Sequence, residues 1–261
     1  MTTAETAPPR TGNTADNPHG QSGLISVIIP TFNEVRRIGR CISRVRQAAK
    51  TEGPLEIIVV DGGSDDGTAQ SAILADSIVI SSKGRSNQLN RGAEIARGEI
   101  LFFLHATISL PDGALMEIRR ALANGFDGGG FSNRFVGYEK KIQRLRKILS
   151  FGLGDYGRSD NLTFYGDNGI FVRRSVFRSL GGFADIHVME DYEFSRRLAK
   201  SYSAKRIMSP RLAVLPRRHL KSGLLKTRLQ WISVYSLYKL GLPTVWIRRI
   251  YSDPREHRRL Q

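Results

Sequence analysis

Short aliphatic runs, each broken by proline, glycine or an acid, recur through the first half of the chain. Residues 24–30 (LISVIIP) and 55–63 (LEIIVVDGG) have the β-branched density of buried strands. Residues 77–80 (SIVI) and 99–104 (EILFFL) follow as shorter ones. Between them, residues 31–34 form a turn before a helix up to about residue 50, a turn from residue 64 leads to a short helix through 75, and another helix is predicted over 85–97. Strand and helix thus alternate with short links, which predicts an α/β fold: a mostly parallel sheet flanked by helices on both faces. Ligands on such sheets sit beyond the carboxyl ends of the strands. Those ends are 30–34, 61–66, 82–85 and 105–107, four loops on one edge.

The second half is less regular. A helix is predicted over 111–124, a glycine-weakened strand over 128–135, and a basic amphipathic helix over 138–151. A glycine-flanked loop, a short strand and a helix ending at Gly181-Gly182 follow, and residues 189–193 start another helix. Residues 222–252 mix Leu, Ile, Val, Trp and Tyr with spaced cations, and Pro243 splits them into two helices. Residues 1–23 are polar and proline-bearing and carry no hydrophobic run, so they read as a disordered tail without a secretory signal. The expected division is a tail (1–23), one α/β domain (24–220) and a basic amphipathic helical segment (221–261).

Composition refines this picture in two ways. Cys41 is the single cysteine, which excludes an internal disulfide and fits a reducing, cytoplasmic setting. The net charge is +16, and residues 196–261 hold 17 Lys and Arg against 2 Asp and Glu. A field so placed favours phosphates or anionic lipid. It could also favour nucleic acid, but no recognition motif accompanies it, so no nucleic-acid partner is expected. No stretch reaches the roughly 18 apolar residues of a membrane span. Trp231 and Trp246 among cations suit a helix lying on the inner face of an anionic membrane, and equally a helix capping the protein's own core.

Several residues carry candidate chemistry. Asp61 ends an apolar strand before two glycines and has no evident capping position, which favours a ligand role. Residues 64–68 read either as a ligand loop or as a cap on the following helix. Asp167, before Gly169, either shapes a pocket or makes an Asx turn. Glu190 and Asp191 open a helix, at the positive end of its dipole.

The segments "LISVIIPTFNE", "IIVVDGGSDDGT", "GRSNQLNRGA", "FLHAT" and "GGF" followed by "MEDYEFSRR" occur in that order. Together they resemble family-2 glycosyltransferases of GT-A (Rossmann-like) fold, and more narrowly a bacterial subgroup, over about residues 24–220. The resemblance implies an inverting transfer from a nucleotide-sugar donor to a hydroxyl or carboxyl acceptor. It makes Asp191 the catalytic base, with Glu190 steering it. It assigns the donor to Pro30, Thr31, Glu34, Asp61, Gly63, Arg85, Asn90, His105, Thr107 and Asp167. Arg217 and Arg218 join them as cations for the diphosphate. A polyprenyl or carotenoid lipid is a plausible acceptor, and no organic cofactor is expected.

The resemblance also implies a divalent cation, Mg²⁺ or Mn²⁺, held by a carboxylate at the end of the 99–104 strand. Here that position is Thr107, in His105-Ala106-Thr107. A hydroxyl cannot anchor a hard cation alone. Three readings stay open: a weak metal site using His105, Asp191 and the donor phosphates, neutralisation of the diphosphate by arginines, or a nucleotide-sugar-binding protein that has lost catalysis.

Overall fold

The computed structural model describes residues 23–136, 162–215, 217 and 222–250. The tail through residue 22, the helix expected over 138–151, Arg218 and the chain beyond 250 lie outside the described residues. Strands β1 (Ile25–Thr31), β2 (Leu55–Asp61), β3 (Ser77–Ile80) and β4 (Ile100–Phe103) pair in parallel in the order β3-β2-β1-β4. Thr31 lies opposite Asp61, so β1 and β2 end level. Helices α1 (Val35–Glu52), α2 (Thr68–Ser71) and α3 (Arg85–Ile95) make the crossovers.

Side-chain alternation along these strands builds two cores. Val27, Ile29, Val59 and Phe102 pack on one face under α1 and α4 (Ala114–Ala123). Ile28, Ile58, Val60 and Phe103 pack on the other, under α3, α5 (Arg174–Ser179) and α6 (Glu190–Ser201). Close approach of α3 depends on Gly92, where a Cβ would stand 2.4 Å from Ile28 Cγ2.

Two expectations are corrected. Helix α2 stops at Ser71 rather than running through residue 75. Asp76 draws the chain back onto β2 first: its amide donates to the Ile57 carbonyl at 2.9 Å and its carboxylate accepts from the Ile57 amide at 2.7 Å. Sequence reading expects only a short strand before the Arg217-Arg218 segment, but the strand there is long. This β8 spans Ala204–Val214, and its charged residues and Pro210 mask the apolar alternation.

β8 belongs to an outer half that makes the sheet mixed. β7 (Ile170–Arg173) runs antiparallel to β4, and β6 (Gly128–Phe135) antiparallel to β7. β8 lies parallel to β6 and antiparallel to the edge strand β5 (Ile108–Ser109).

Pro243 does separate two C-terminal helices, α7 (Leu224–Lys239) and α8 (Thr244–Ile250). On α7 the stripe Thr227, Trp231, Val234 and Tyr238 faces inward, and Trp231, Val234 and Tyr238 pack with Val188, Met189 and Tyr192 around the start of α6. Leu225, Leu229 and Ile232 stay exposed on its other side, while the partly exposed Tyr235 packs edge-on against Tyr192. The amphipathic expectation is therefore corrected for α7. It is apolar on both sides, because one side serves the protein's own core and the other faces out. Among the described residues no helix is long and apolar enough to cross a membrane.

Candidate active site

The β1 and β2 ends are built by a loop that caps a helix from across a gap. Helix α1 begins at Glu34 with no side-chain cap of its own. Ser64 Oγ accepts from the Asn33 amide and Thr68 Oγ1 from the Glu34 amide, both at 2.8 Å, and Asp66 accepts from the Val35 amide at 3.2 Å. The residues expected either to cap the following helix or to touch ligand thus cap the preceding one, satisfying amides that a helix start leaves open.

Asp61 is buried at the centre of this turn. It accepts from Thr31 Oγ1 at 3.0 Å, from the Gly63 and Ser64 amides at 3.2 and 2.7 Å, and from Ser64 Oγ at 2.5 Å. The premise that Asp61 has no capping position is corrected: it organises its own turn. Gln88, one helical turn after Arg85, donates to the Thr31 and Val60 carbonyls at 2.6 and 2.8 Å, tying the two strand ends to α3.

Across from these ends stands the start of α6. Met189 holds a left-handed backbone (φ 69°), uncommon for a residue with a side chain. Glu190 and Asp191 follow, both buried. Glu190 pairs with Arg85 at 3.0 Å. Asp191 accepts from the Gly166 amide at 2.5 Å and from the Tyr192 amide at 2.7 Å. Burial, and then the neighbouring Glu190 charge, push its carboxyl from 3.8 up to about 7, although Arg85 and the two amides pull the other way. His105 packs on Gly166 so closely that a Cβ there would lie 2.2 Å from the ring. The β4 end therefore abuts the peptide that holds Asp191.

One cleft gathers much of the expected set. Pro30, Thr31, Glu34, Arg85, His105, Thr107, Glu190, Asp191 and Arg217 all line it. Arg217 reaches Glu34 at 2.6 Å from the far end of β8. Asp61, Gly63, Asn90 and Asp167 do not line the cleft. Asn90 departs furthest from expectation. Its amide donates to the Phe183 carbonyl at 2.8 Å and accepts from the Phe183 amide at 2.9 Å, clipping the Gly181-Gly182-Phe183 turn ahead of α6. Asp167 is half-buried in a 3-10 turn, Gly166–Asn168, where desolvation raises its pKa.

Sequence reading passed over Lys83, Gln88, His187, Trp231, Val234 and Arg248, which also line the cleft. Lys83 sits over the Phe32 ring at 4.4 Å. Gln88 lay in the quoted "GRSNQ" segment at helical spacing from Arg85, a signal that could have found it. Trp231, Val234 and Arg248 arrive only through packing of α7 and α8.

The cleft offers a divalent cation few protein ligands of its own. Among the described residues no three His, Cys, Asp or Glu side chains converge, so a cation here would have to draw on the donor's phosphates. At the β4 end Thr107 offers only a hydroxyl where a hard cation would want a charged oxygen.

The model of glycosyl transferase family 2 matches residues 26–181 of this chain. The chain belongs to that family. It is a glycosyltransferase enzyme. A "PGL/p-HBAD biosynthesis glycosyltransferase" of Mycobacterium bovis is 30% identical over 186 residues, covering 67% of this chain and 69% of the relative.

Solved structures share the fold at lower identity. Staphylococcus aureus TarS 1–349 superposes with a TM-score of 0.58 at 15% identity, over 82% of this chain and 65% of TarS. Glucosyl-3-phosphoglycerate synthase of Mycobacterium tuberculosis gives 0.56 at 19%, over 84% of this chain and 81% of the synthase. The synthase was solved with Mn²⁺, UDP and glucosyl-3-phosphoglycerate, so in that protein the fold holds a divalent cation alongside a nucleotide diphosphate.

Proposed function

We propose that this family-2 enzyme is an inverting transferase that moves a sugar from a nucleotide-diphosphate sugar to a hydroxyl or carboxyl of a lipid-linked acceptor. The observation that carries the reading is Asp191: a buried carboxyl, poised at about 7, in a cleft that also holds basic side chains. Glu34 and Glu190 line the same cleft but pair with arginines, so Asp191 is the carboxylate suited to take a proton. The acceptor oxygen forms its bond to the anomeric carbon as its proton passes to Asp191. The bond from that carbon to the diphosphate breaks on the opposite face, and its electron pair leaves with the nucleotide. One base and one displacement suit inversion.

A lipid acceptor is supported by α7 and α8. Residues 224–250 carry five Lys and Arg and no acid, and their outward side exposes Leu225, Leu229, Ile232, Leu240, Val245 and Trp246. Between the two helices, Leu237, Leu242, Trp246 and Ile247 line an apolar groove with Arg249 at its edge. That combination suits an anionic bilayer surface beside the cleft. The segment 221–261 is thus read as a membrane-facing appendage of the 24–220 domain.

A screen of nucleotide sugars tests the activity, with hydrolysis and transfer read by released nucleotide. Turnover with at least one donor is expected. Binding of a donor with no turnover, in the presence of lipid acceptors, would instead favour the second reading, which Thr107 motivates: a nucleotide-sugar-binding protein without catalysis.

A further inference from the structure

Resting on the transferase reading above, we infer that the donor diphosphate is held by a pair of arginines, Arg217 and Arg85, in place of a divalent cation. The two arginines come from distant parts of the chain to the same cleft. Each is held by a buried glutamate, Arg217 by Glu34 at 2.6 Å and Arg85 by Glu190 at 3.0 Å. Both glutamates are only 2% exposed, while the Arg85 and Arg217 side chains stay 39% and 29% exposed, so each guanidinium is anchored at a buried acid yet open to the cleft.

The two grips share a construction. Asn33 and Met189, the non-glycine residues with left-handed backbones among those described, immediately precede Glu34 and Glu190. A sharp reversal at each point sets the glutamate at a helix start and aims its arginine. Such residues are uncommon, and they cluster where a site over-determines them.

The strand end that lacks the metal carboxylate is physically joined to one of these arginines. The Thr107 carbonyl accepts from the Leu215 amide at 3.3 Å, continuing the β5–β8 ladder, and Arg217 follows two residues later. The strand end that carries Thr107 in place of a carboxylate therefore lies beside the segment that brings Arg217 into the cleft. Guanidinium groups bind phosphate oxygens through paired N–H donors and stay charged at any working pH. As the sugar–oxygen bond breaks, the departing diphosphate gains negative charge, and fixed cations stabilise it without reorganisation. Lys83 and Arg248 line the same cleft and add to its positive field.

Isothermal titration of the full chain with UDP and with GDP, each in EDTA and again in excess Mn²⁺, tests this directly. Affinity for whichever diphosphate binds should agree between the two buffers within about threefold. R217M should weaken it by about tenfold or more in both buffers, and R217K by less, since lysine keeps the charge but not the fork. Melting curves of both variants check that the fold survives. Binding that tightens tenfold or more with Mn²⁺ would overturn the inference and leave the transferase reading standing. So would R217M and R217K binding as tightly as the parent chain. Failure of both diphosphates to bind in either buffer would overturn the inference together with the nucleotide-donor reading.

Discussion

Asp191 ties structure to chemistry through its proton. The folded chain holds this carboxyl at about 7, against 3.8 for the ordinary group, so between those values the native state binds a proton that the unfolded chain has released. Stability from this group is full below 3.8 and is lost as pH rises through about 7. Turnover runs the opposite way, because a base must be deprotonated: it should climb through about 7 and level off above. D191N should lower turnover by about 10²–10⁴-fold and remove its share of the stability slope, which paired pH–rate and pH–melting series would read.

Gly166→Ala probes the same group indirectly. The new methyl must displace the His105 ring and shift the amide that holds Asp191. A loss of about 10²-fold in turnover, with little change in melting temperature, is the expected result. At this scale the sequence foretold placement for some residues: Asp191 and Arg85 do line the cleft. It was not legible where a polar side chain can serve fold or ligand equally well. Asp61 and Asn90 both turned inward to backbone amides, and nothing in their neighbours foretold which way they would face.

Among the elements, local patterns foretold most of the framework. β1, β2, β3 and α1 lie close to their expected bounds because each is a dense apolar run with a hard stop. What local patterns could not reveal is exchange between elements. The Ser64–Thr68 loop follows β2, yet it caps α1, because parallel strands that end level bring the two loops side by side. The length of β8 was hidden for a related reason, since its partner β6 is remote in sequence. Replacing Thr68 by Val keeps the shape but removes the oxygen that accepts the Glu34 amide. A cost of about 1 kcal/mol is expected, visible as a lower denaturant midpoint. Because Glu34 grips Arg217, the same variant should also weaken nucleotide binding, a coupling that a purely structural cap would not show.

At the scale of the whole molecule, charge and exposed apolar surface meet on α7 and α8, although Ile73, Leu74 and Ile80 are also exposed elsewhere. The described part of residues 196–261 carries α7 and α8, whose outer side combines exposed large hydrophobics with cations and no acids. Sedimentation with vesicles containing an anionic phospholipid should retain the protein at low salt and release part of it at high salt, leaving a fraction held by apolar contact. Exchanging Leu229 and Trp246 together for serine should abolish that salt-resistant fraction while turnover on a water-soluble acceptor persists. Absence of binding to such vesicles at low salt would remove the membrane role.

The cleft is walled by residues distant in sequence: Thr31 comes from β1, Glu34 from the start of α1, Trp231 and Val234 from α7, and Arg248 from α8. Without α7 and α8 the cleft would lose Trp231, Val234 and Arg248, and Val188, Met189 and Tyr192 at the start of α6 would lose their apolar cover. The mouth of the site and the shelter of the helix that carries Asp191 thus depend on the same two elements.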